Sequence, residues 1–136
     1  MNDRVKEGFV ISSRLTSAKR QFLHNYLDML LEIENAIKYV SECYIKGDHD
    51  IGDRLLKSVT LGLIPYNEEN MTMQAIFKED LNALATLHQF QDAVEEAANI
   101  EKIYPNEQER MVFLHEKLLP RKHEWTQIVE SYYKTH

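Results

Sequence analysis

A chain of 136 residues is long enough for one hydrophobic core and too short for two, so a single domain is expected. Four glycines and three prolines are too few for the turns of a sheet protein, and a lone cysteine, Cys43, excludes an intramolecular disulfide and the paired-cysteine metal motifs. A net charge of −6 repels a phosphate backbone, and no stretch interleaves clustered Lys/Arg with aromatic residues, so nucleic acid is not an expected partner.

The charge is unevenly spread. Residues 1–20 carry five basic and two acidic side chains, residues 21–109 six and seventeen, and residues 110–136 five and three. An acidic middle between basic ends either steers a charged partner or reflects solvated helix faces with a basic tail. The first residues hold only a three-residue apolar run, Phe9-Val10-Ile11, short of a signal-peptide core or a membrane span. The expectation is a cytoplasmic protein, neither secreted nor membrane-spanning, with residues 1–16 as an arm.

A first helix is predicted over residues 17–46, with Thr16 or Ser17 as its N-cap. Its apolar residues Leu23, Tyr26, Leu30, Ile33, Ile37, Val40 and Tyr44 alternate spacings of three and four, and Phe22, Met29, Ala36 and Cys43 form an adjoining apolar row. Three apolar rows of seven make the wide face of a bundle helix. Leu31 and Ile45 stand on an otherwise polar row. A short second helix follows over 50–62, capped by Asp48 or Asp50 and directing Ile51, Leu55, Val59 and Leu63 to one side. Gly62 and Pro65 end it.

The third helix is predicted as one piece over 68–103, with five alanines between positions 83 and 98 that permit close approach of a neighbour. The last, over 106–134, opens on Asn106 with Glu109 at the position of a capping box. Met111, Leu114, Leu118, Trp125, Ile128 and Tyr132 share one row, interrupted at Arg121 beside Pro120, where a kink is expected. Short connections then imply an all-α, up-down-up-down four-helix bundle with a proline-kinked last helix. The second helix is too short to cover the first, so the 62–72 connection, the arm or another molecule must cover the rest of its stripe.

Residues that could carry chemistry are sparse. No histidine has a glutamate three positions before it, which removes the dimetal carboxylate pattern of helical bundles. His88, His115 and His123 are the candidate ligands of a mononuclear metal site; the competing reading is boundary histidines hydrogen-bonded to neighbours. Asp48-His49-Asp50 resembles a ligand cluster but is also what a helix start requires. Cys43 sits among apolar side chains, where a thiol is inert. Leu31, Ile45, Leu119 and Tyr133 are the candidate partner-binding residues, as apolar or aromatic side chains off the core rows.

Leu118-Leu119-Pro120-Arg121-Lys122-His123-Glu124-Trp125 resembles the Leu-Leu-Pro-x4-Trp phrase in the last helix of small, functionally uncharacterised bacterial helical proteins. That resemblance covers about a quarter of the chain and implies no activity. The stretch from Tyr26 to Leu63, a long helix ending in Tyr44-Ile45-Lys46-Gly47-Asp48 and a short helix with Leu55-Leu56, is similar to the flagellar export chaperones, which implies a bundle that holds a protein partner. The kinked last helix and long third helix depart from that pattern. The functional expectation is a non-enzymatic protein-interaction module without a cofactor, chaperone-like, regulatory or homodimeric. The alternative is a metal- or small-ligand-binding bundle using His88, His115 and His123.

Overall fold

The computed structural model describes residues 15–136; the expected arm, with Phe9-Val10-Ile11, lies outside the described residues apart from its last two positions. Among the described residues every regular element is helical: α1 Ser17–Lys46, α2 His49–Leu61, α3 Met71–Phe77, α4 Leu81–Ala98, α5 Ile100–Ile103, α6 Glu107–Phe113, a π turn Leu114–Leu118, and α7 Leu119–Thr135. No described helix is long and apolar enough to cross a membrane.

Caps written into the sequence start and stop these helices. The Thr16 hydroxyl accepts the Lys19 N–H at 3.1 Å, Asn70 accepts from Thr72 and Met73, and Asn106 accepts from Glu109 at 2.8 Å. At the end of α1, Gly47 takes φ +85°, so that its N–H reaches the Tyr44 carbonyl and the Asp48 N–H the Cys43 carbonyl. Asp48 then stands at the cap of α2, although its side chain makes no capping hydrogen bond.

The Leu23-to-Tyr44 row of α1 is buried along its length, and Phe22, Met29 and Ala36 of the adjoining row are half-buried. α1 packs on α2 and α7, and α4 packs on the other sides of both, closing a ring. Ser41 with His115, Glu34 with Lys122 and Tyr26 with Trp125 pair α1 with the last rod in opposite directions. Glu96 with Lys117 and Asp80 with Tyr132 do the same for α4. The stripe that α2 is too short to reach is covered by the chain itself: Leu63, Met73 and Phe77 are fully buried, and the Tyr66 ring lies 5.4 Å from that of Tyr26. The Gln91 amide holds this connection by donating to the carbonyls of Leu63 and Tyr66.

Three expectations are corrected. The third helix is not continuous over 68–103. It breaks at 78–80, where the Asp80 carboxylate takes the Ala83 N–H at 3.0 Å and the Tyr132 hydroxyl at 2.7 Å, and again at Asn99, whose own side chain bonds the Glu95 carbonyl. The buried face of α2 is Gly52, Leu56 and Thr60; of the predicted row Leu63 is fully buried, Leu55 and Val59 are half-buried against the core, and Ile51 is exposed. A Cβ at position 52 would lie 2.8 Å from the Tyr44 ring, so the one residue without a Cβ faces α1 and Ile51 is turned outward.

The third correction concerns the last helix. The rod passes Pro120 through a π turn in which the Leu119 N–H reaches back to Leu114. A wider turn accommodates a residue that has no N–H to give. It also advances the buried face by one position, so α7 buries Lys122, Trp125 and Val129 while Ile128 and Tyr132 are half-buried. The Lys122 ammonium is kept in that position by Glu34, 2.5 Å away, and holds the Glu34 carboxyl below the usual range.

A grooved end as the candidate interaction surface

At the end of the molecule where α1 stops and α6 starts, two partly buried polar clasps set the geometry. The Tyr44 hydroxyl donates to Asp53 at 2.7 Å, and Arg110 reaches the other oxygen of Asp53 at 2.9 Å. Burial, with Asp53 beside it, pushes the Tyr44 hydroxyl well above its ordinary pKa. Tyr104 donates to Glu96 at 2.8 Å, and Lys117 takes the second Glu96 oxygen at 2.5 Å. Burial, then the Glu96 carboxylate, pushes Tyr104 up to about 12. On Glu96 burial opposes ionisation, but the Lys117 and Tyr104 hydrogen bonds outweigh it and hold the carboxyl below the usual range. His49 pairs with Glu107 across the same end.

Around these clasps run four connected grooves. The largest, about 590 Å³, lies between Tyr104 and the rod face Glu109, Val112, Phe113 and Glu116. It shares Asn106 and Gln108 with a groove of about 500 Å³ lined by Ile45 and Met111. Gly47 connects that one to a groove beside Ile51, and Lys117 connects the first to one beside Ile103. Eight carboxylates and four lysine or arginine side chains line the four together, a net of four negative charges. Ile45 is 73 % exposed, Val112 52 %, Ile51 47 % and Ile103 44 %, so four large apolar side chains face solvent within one connected surface.

Of the residues singled out from the sequence, Ile45 belongs to this surface. Leu31 is exposed farther along α1. Leu119 is half-buried against the core, and Tyr133 packs on His24 and under the Arg20 guanidinium, 5.2 Å from the ring centre. The three candidate metal ligands are not brought together: His88 pairs with Glu68 and Asp92, His115 meets Ser41 at 3.1 Å, and His123 meets Glu34 at 3.3 Å. Among the described residues no group of three His, Cys, Asp or Glu side chains has the spacing to hold a metal ion. Cys43 is buried and unpaired.

Ile51, Ile103 and Val112 were missed by periodicity. Ile51 reads as core, and Ile103 and Val112 read as nothing. The only sequence signal was that Val112 falls off the Met111–Leu114–Leu118 row while remaining apolar.

Neither a curated protein nor a solved structure matches the chain. One family model does, over residues 21–128, which takes in α1 from its second turn, both grooved-end clasps and most of α7. By that match the chain belongs to the family described as a domain of unknown function, DUF8042.

Proposed function

We propose that this protein is a non-enzymatic, cytoplasmic interaction module: an up-down-up-down four-helix bundle, elaborated by the short helices α3 and α5, that binds another protein through its grooved end. A chaperone-like or regulatory role and a homodimer are the two forms of this reading. The observation that carries it is the concentration of Ile45, Ile51, Ile103 and Val112 on one connected, acidic, grooved surface. Large apolar side chains exposed in a contiguous patch mark contact surfaces, whereas the same residues scattered singly would not. Two further features support it. Tyr44, Tyr104 and Glu96 are tied to protein partners in partly buried clasps, which is how a rigid platform is built. A single thiol left unpaired in the core suits a reducing compartment.

The test is an affinity capture of the tagged full chain from lysate of its source, with quantitative mass spectrometry, run beside the Ile45→Lys/Val112→Lys double variant. One near-stoichiometric partner, lost with the double variant while the melting temperature holds, is the expected result. Recovery of the chain alone, monomeric in sedimentation, would overturn the reading; recovery as copies of itself would select the homodimer.

A further inference from the structure

We propose that the groove beneath Tyr104 takes a polypeptide segment of a partner protein that presents a large apolar side chain between lysines or arginines; this deepens, and rests on, the interaction-module reading. The floor is apolar and fixed. The Tyr104 and Phe113 rings lie 5.1 Å apart, Phe113 is buried, and the Tyr104 hydroxyl is anchored to Glu96, so the floor loses little freedom when covered. Val112, half exposed, forms the wall.

Charge selects the occupant. Lys117, the only cation lining the groove among the described residues, is already neutralised by Glu96 at 2.5 Å. The Glu109 and Glu116 carboxylates at its edge have no ion-pair partner among the described residues. A segment entering the groove therefore meets an apolar floor between two unneutralised negative charges, which favours a cationic segment and disfavours an acidic one. Shape selects polypeptide over a compact small molecule. Glu109 to Glu116 spans about 10 Å of the rod at 1.5 Å per residue, two helical turns, and Asn106 and Gln108 at the groove's end also line the groove beside Ile45. An elongated channel with an apolar stripe and charged rims is the receptor half of helix-in-groove recognition.

The experiment selects a displayed random peptide library on the immobilised full chain, then measures the enriched peptides by fluorescence anisotropy against wild type, Val112→Glu, Glu109→Lys/Glu116→Lys and, as a control far from the groove, Leu81→Lys. The expected winners carry a Leu, Ile, Phe or Trp flanked by Lys or Arg. They should bind at least about tenfold more weakly to Val112→Glu and to the double charge variant, weaken with added salt, and bind Leu81→Lys as they do wild type. Each variant is first shown to melt as wild type does; if Val112→Glu does not, the exposed Glu109→Lys/Glu116→Lys pair decides alone. Winners without basic residues, winners indifferent to both groove variants, or no enrichment would each overturn the groove assignment. The broader reading is judged separately, because a partner captured from lysate that ignores the groove variants leaves the interaction module standing while this site falls.

Discussion

The two ends of the molecule spend similar side chains in opposite ways. At the end where α1 begins, the Leu15 N–H closes onto the His136 carbonyl at 3.1 Å, the His136 ring stacks on Tyr132, and Arg20 covers Tyr133. Beneath that closure Tyr26, Phe77, Trp125 and Tyr132 form an aromatic cluster, with the Trp125 indole N–H donating to the Tyr26 hydroxyl at 2.8 Å. At the other end, Ile45, Ile51, Ile103 and Val112 face water over clasps of Tyr, Asp, Glu, Arg and Lys. A closed aromatic end stabilises through buried area, and a grooved end held by polar clasps keeps its apolar side chains available. If the grooved end is the contact surface proposed here, stability and contact are assigned to different ends.

The largest expected effect falls on the closed end. Trp125→Ala removes a fully buried ring and leaves the Tyr26 hydroxyl without its donor, and should cost about 3–5 kcal/mol in denaturant unfolding. A cost below about 1 kcal/mol would mean that the aromatic cluster does not hold the fold. Next, Arg110→Ala strands the nearly buried Asp53 carboxylate beside Tyr44 and should cost about 3 kcal/mol, with the grooved end losing its peptide or partner binding as well. Loss of stability with binding retained would separate the clasp from the surface.

Acid should loosen the closed end by a smaller amount. The Tyr132 hydroxyl, with the Ala83 N–H, holds the Asp80 carboxyl below its ordinary value of 3.8. A depressed folded pKa contributes stability that is complete above the unfolded value and disappears as pH falls through the folded one. The melting-temperature gap between wild type and Asp80→Asn should therefore be present at neutral pH and close as pH drops below about 3.8; a gap unchanged through that window would deny the Asp80–Tyr132 contact. The smallest effect belongs to the grooved surface itself. Ile45→Lys with Val112→Lys should shift stability by no more than about 0.5 kcal/mol, and a larger shift would show that these side chains belong to the core and not to a contact surface.

Much of the local structure is legible in the residues. The three-and-four spacing of α1, the Thr16 and Asn106 caps and the Gly47 stop are all written within a few positions of where they act. The candidate site was legible only at Ile45. Grooves depend on how α5, α6 and the end of α1 meet, and periodicity within one helix carries no information about its neighbours. For the same reason the metal alternative looked open from sequence. His88, His115 and His123 sit beside adjacent apolar faces, yet each meets a different partner once those faces are packed.

The sequence by itself determined an all-helical chain, the positions of its main caps and the apolar face of α1, because hydrogen bonding and amphipathic periodicity act over one or two helical turns. Tertiary structure alone decided which face α2 buries, since Gly52 must pass the Tyr44 ring; where the third helix breaks, since Asp80 is held by Tyr132 from across the fold; and why Lys122 is buried, since Glu34 waits for it and the π turn rotates it inward. Those contacts join residues 8, 52 and 88 positions apart, and only packing brings such pairs within reach of one another.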